Sequence, residues 1–121
     1  MKNTIIFDKK VDFKQEETLT FFVNEKLDFN TAKKIFSDQI LNKIQIFLKN
    51  LKSKKKKEKI ISFDISEKNK VLFIVIKEQL HPNDFEKIGA NFFSYAKINK
   101  INKINFYSDT LKLIKSYKKN T

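Results

Sequence analysis

Residues Val71 to Ser108 spell one complete βαβ unit, and a buried strand feeding a helix and a second strand commits a short chain to a layered α/β fold. The run VLFIVIKE is apolar and mostly β-branched, the pattern of a strand covered on both faces. Leu80-His81-Pro82 turns into a helix. Pro82 suits the first helical position, where a missing N–H is no loss, and Asp84 and Glu86 sit near the positive end of the dipole. Phe85, Ile88, Gly89, Phe92, Phe93 and Ala96 then form one apolar stripe at helical spacing. Ile104 to Tyr107 closes the unit as a second strand.

The rest of the chain repeats this alternation. Thr4 to Phe7 reads as a first strand and Leu19 to Val23 as a second. Asn30-Thr31 offers N-cap chemistry for a long helix whose apolar positions run from Ala32 to Leu51 and which ends near Lys52. Ser37-Asp38 could break it into two shorter helices. Ile61, Phe63 and Ile65 alternate with polar residues, as in a strand with one solvated face. The polar link Ser66 to Lys70 then predicts antiparallel pairing with the Val71 strand. Ser108-Asp109 caps a final amphipathic helix carrying Leu111, Ile114 and Tyr117. The expected fold is a single α/β domain over residues 1–121, with a mixed β-sheet of about five strands flanked by helices in the order β-β-α-β-β-α-β-α.

Composition narrows the function classes. No run of roughly 18 apolar residues is present to span a membrane, and MKNTIIFDKK turns acidic too early for a signal peptide. Zero cysteines remove disulfides and thiolate metal sites, and a cytoplasmic location is the expectation. The net charge of +12 suggests nucleic acid, but all 26 basic residues are Lys and none is Arg, the side chain that reads bases and forks onto phosphates. Abundant Ile, Asn, Phe and Lys beside one Gly, one Pro and three Ala is the skew of AT-rich codons, to which the lysine excess is mainly assigned.

Catalytic constellations are sparse. His81, the single histidine, reads as a capping or turn residue rather than a base or metal ligand. No HExxH, P-loop, GxGxxG or GxSxG motif occurs. Gly89, in mid-helix, points to close helix-to-strand packing. The carboxylates stand singly or at turns; Asp64 and Glu67 could approach each other, although a two-metal site needs more converging groups. The one low-complexity stretch, Lys52 to Lys59, reads as a solvated, self-repelling loop. Its alternative is an anion or nucleic-acid contact through Lys54, Lys55, Lys56 and Lys57, which would be sequence-blind and salt-dependent.

VLFIVIKEQLHPNDFEKIGANFFSYAKINKINKINFYS, with the small pair Gly89-Ala90 in its helix, resembles the corresponding segment of the N-terminal domain of leucyl (cytosol) aminopeptidases. Upstream, ETLTFFVNEKLDF, the long helix and the hairpin KIISFDIS–VLFIVI keep the same element order, so the resemblance spans roughly residues 4 to 110. It implies a macro-domain-like fold and a non-catalytic role in subunit assembly. In that family two divalent metals, typically zinc or manganese, belong to a separate C-terminal metallopeptidase domain that hydrolyses N-terminal residues from peptides. It therefore implies no catalytic residue, metal ligand or cofactor within this chain, which would be a fragment or truncated relative. The implied partners are a second copy or a catalytic aminopeptidase domain, with no membrane; some bacterial members also use this region in binding DNA.

Overall fold

The computed structural model describes residues 4–7, 15–29, 35–54, 58–77, 81–107 and 110. They form β1 (Thr4–Phe7), β2 (Glu17–Val23), α1 (Asp38–Lys52), β3 (Ile60–Asp64), β4 (Asn69–Val75), α2 (Pro82–Ile98) and β5 (Lys103–Phe106). The expected α/β class holds, with five strands in one mixed sheet of order β1-β5-β2-β4-β3. β1, β5, β2 and β4 run parallel, and β3 pairs antiparallel at the edge. The expected final helix, with Leu111, Ile114 and Tyr117, lies outside the described residues.

The central pair β2–β4 is in register from Glu17↔Asn69 to Val23↔Val75. Side chains alternate across a strand, so each member feeds two cores. Leu19, Phe21, Val23, Val71 and Phe73 point to the face covered by α1, where they meet Ile44 and Leu48. Leu72, Ile74 and Ile104 point to the opposite face and meet Phe92 and Ala96 of α2. The near-continuous apolar run of β4 is explained by these two covers.

Both helices start on side-chain chemistry. Ser37 caps α1, its Oγ accepting from the Ile40 N–H at 3.3 Å, with Asp38 in the first turn. The helix that reaches Lys52 therefore begins at the Ser37-Asp38 break, which corrects the reading of one helix running from Asn30-Thr31. Ile35 and Phe36 precede it, and Phe36 packs into the core from outside any helix. At α2, Pro82 occupies the first turn and the Asp84 carboxylate accepts the His81 backbone N–H at 2.9 Å. His81 is thus the N-cap residue. The helix ends where Lys100 takes φ 54 and Ile101 donates to the Ala96 carbonyl at 2.9 Å.

Ser66 organises the β3–β4 turn by accepting from the Asn69 N–H at 3.1 Å and the Lys68 N–H at 3.3 Å. Asn69 is buried, and its Nδ2 donates to the Gln15 carbonyl at 3.1 Å and the Glu17 carbonyl at 3.4 Å. One amide thereby ties the hairpin to the start of β2. Asn69→Ala removes the donor from the buried Glu17 carbonyl and the part-buried bond to Gln15, and should cost about 1–3 kcal/mol, read as a lower urea midpoint at unchanged slope.

Candidate functional site

Two surfaces concentrate the unusual features, one on the α2 face and one at the carboxyl end of the sheet. On the α2 face, rings touch in a row from the edge strand outward. Phe7 stacks on Phe106 at 5.5 Å, Phe106 meets Phe92 at 5.0 Å, and Phe92 meets Phe93 at 6.1 Å. The row begins and ends in water: Phe7 is 65% and Phe93 51% exposed, and Ile98 at the end of α2 is 76% exposed. Between them lies a shallow apolar groove of about 190 Å³ bounded by Phe22, Ile74, Phe85, Phe106 and Gly89. The predicted helical stripe is therefore only partly covered. The sheet covers Phe92 and Ala96 and leaves Phe85 and Phe93 outside.

Gly89 is where the sequence reading needs correcting. A Cβ built on it meets nothing within 4 Å, so no strand packs closely against it. The missing side chain leaves open space over this turn of α2. Gly in mid-helix costs about 1 kcal/mol relative to Ala, with no packing here to offset it. Gly89→Ala should raise stability by about that amount, visible as a higher Tm in calorimetry.

At the other surface, the β2 chain leaves toward α1 and the β4 chain leaves toward α2. Adjacent parallel strands whose connections part to opposite faces open a crevice beyond their carboxyl ends. Here it has a volume of about 1060 Å³, with Leu27, Phe47, Leu51 and Ile76 among its apolar walls. The loop after β2 is pinned in place. Asp28 accepts from Lys52 Nζ at 3.2 Å and Asn24 Nδ2 at 3.3 Å, its N–H donates to Asn24 Oδ1 at 3.1 Å, and Leu27 adopts φ 58. A positive φ is costly for a branched side chain, and the bonds around Asn24 and Asp28 hold it there.

Among the described residues, six lysines line this crevice: Lys26, Lys52, Lys54, Lys59, Lys77 and Lys87. Four carboxylates accompany them, Glu25, Asp28, Glu58 and Asp84. Two of the four are already engaged, Asp28 with Lys52 and Asp84 with the His81 N–H. Burial pushes the Asp28 carboxyl up, but hydrogen bonds from Lys52 and Asn24 and the charges of Lys52 and Lys26 outweigh it and hold the group below its ordinary 3.8. The His81 N–H, aided by the charges of His81, Lys77 and Lys87, holds Asp84 below the same value. The Lys52–Asp28 pair is exposed, so its net worth is about 0–1 kcal/mol.

Of the lysines singled out in the sequence, Lys54 stands on the crevice rim; residues 55–57 lie outside the described residues. Lys52 and Lys59 bound the same lysine-rich stretch, whereas Lys26, Lys77 and Lys87 come from separate segments and carry no local signal. Asp64 sits opposite Lys70 in the hairpin, and no group of three or more His, Cys, Asp or Glu converges among the described residues. Among them, too, no helix is long and apolar enough to cross a membrane. No known family model, curated protein or solved structure matches the chain.

Because Asp28 and Asp84 have depressed folded-state pKa values, they stabilise the fold above pH 3.8, and that contribution disappears as pH falls through their folded values. Urea midpoints should therefore drop on acidification below pH 3.8, and Asp84→Ala should show a smaller drop than the parent. An equal acid dependence in the variant would contradict the capping role of Asp84.

Proposed function

We propose that the chain is a non-catalytic α/β module similar to the N-terminal domain of leucyl aminopeptidases, and that it works through contacts between subunits. The observation that carries this reading is the aromatic row ending at Phe93, beside the open space over Gly89. A two-fold contact uses the same patch on both copies. Phe93 lies one helical turn from Gly89, on the same side of α2, so a ring protruding from one copy has a matching space on the other. The resemblance supplies the family, and the element order β-β-α-β-β-α-β of the described residues supports it. Under this reading the peptidase chemistry of the family belongs to a domain with its own metals, and this chain contributes assembly.

The expected result is concentration-dependent self-association in sedimentation velocity, with no hydrolysis of a leucine-amide substrate when zinc or manganese is added. Phe93→Asp should weaken association roughly tenfold or more, as loss of a central aromatic anchor does. Its folded-state circular dichroism should be unchanged, since Phe93 is half exposed. A chain that stays monomeric at high concentration, a Phe93→Asp variant that associates like the parent, or measurable leucine-amide hydrolysis would each overturn the proposal.

A further inference from the structure

We propose that the crevice at the carboxyl ends of β2 and β4 is a binding site for a small organic polyanion, a molecule with an apolar body and at least two negative charges such as a nucleoside triphosphate. Three features converge on it. The first is topology: β2 and β4 are neighbouring parallel strands whose connections leave to opposite faces, which is where open α/β sheets place ligands. The second is size, since about 1060 Å³ is at the upper end of the range of small-molecule sites.

The third is the division of chemistry within the crevice. Leu27, Phe47, Leu51 and Ile76 offer apolar walls, while the cations come from five places: the β2 loop, the end of α1, the start of β3, the end of β4 and the first turns of α2. With Asp28 held by Lys52 and Asp84 by the α2 cap, Lys26, Lys54, Lys59, Lys77 and Lys87 face two remaining carboxylates, Glu25 and Glu58. A cluster of cations sharing one concave, partly apolar space attracts anions more strongly than the same charges on a convex surface. The first turn of α2 contributes little, because Asp84 already neutralises it. No glycine lies in the described lining of the crevice, so the contacts are lysine point charges and not a backbone cradle. Such a site selects charge and an apolar body but not the fork geometry of one phosphate group.

The test is NMR titration of the whole chain with ATP, pyrophosphate and adenosine at physiological ionic strength. ATP should shift the amides of Leu27, Ile76, Lys87 and Asn91 and bind more tightly than either fragment. The double variant Lys59→Gln/Lys87→Gln should weaken ATP binding by about tenfold through loss of two nearby charges. The control Lys43→Gln/Lys97→Gln removes equal charge from helix surfaces outside the crevice and should leave binding unchanged. Equal weakening by both pairs, pyrophosphate binding as tightly as ATP, or shifts scattered over the surface would overturn the site. Lys59 and Lys87 line the crevice and not the apolar groove beside Phe93, so their replacement tests this site separately from the assembly reading.

Discussion

The parallel pairing of β2 with β4 is the constraint from which both faces of the molecule follow. Seven residues on each strand lie in register, and nearly all are buried. Their side chains alternate between two cores, so a slip of β2 by one residue against β4 would send Phe21 to the α2 face and Phe22 to the α1 face. The two faces differ too much in shape to accept that exchange. On the α1 side Phe21 is surrounded by rings, stacked on Tyr107 at 4.6 Å and edge-on to Phe29 at 5.0 Å. The α2 side holds smaller aliphatic groups under Phe92 and Ala96. Asn69 adds a polar lock at one end of the pair, since only this register brings its amide to the carbonyls of Gln15 and Glu17.

The same pairing explains why one face is complete and the other is not. α1 is supplemented by Phe29, Phe36 and Tyr107, which fill the space beside it from loops and from the end of β5. α2 has no such helpers among the described residues. Its stripe is broad, the sheet covers Phe92 and Ala96, and the excess apolar surface runs outward through Phe93 and Ile98. Exposed aromatic rings that touch one another form a continuous patch, which is costly in water unless something covers it. Gly89 adds a local destabilisation that no intramolecular contact offsets. Together these two costs on one face are what the proposed assembly role rests on.

Much of this was legible in the sequence, and the failures have a common physical origin. The βαβ unit, the β3–β4 hairpin and the Pro82 start depend on local pattern, and the structure keeps them. The start of α1 does not. Helical spacing continues upstream through Ile35 and Phe36, but Ser37 can satisfy an amide two turns later than Asn30-Thr31 would, and Phe36 is buried without being helical. Gly89 fails for a similar reason. A glycine on an apolar stripe looks the same in sequence whether a strand presses on it or nothing does. Only tertiary placement separates the two.

Tertiary placement also decides what the lysines mean. A high lysine count from codon usage spreads charge without regard to function, and one basic run is a poor guide to a site. What local pattern could not reveal is that Lys26, Lys77 and Lys87 meet around one crevice with Lys52, Lys54 and Lys59 of the lysine-rich stretch. They are separated along the chain by a helix and two strands, and they converge because β2 and β4 end side by side. Compositional drift can supply the cations, but it does not supply the concavity, the apolar walls or the pinned Asn24–Asp28 loop. The crossing of connections at the end of the β2–β4 pair provides those, so the strand pairing that separates the two cores also gathers scattered charge into one place.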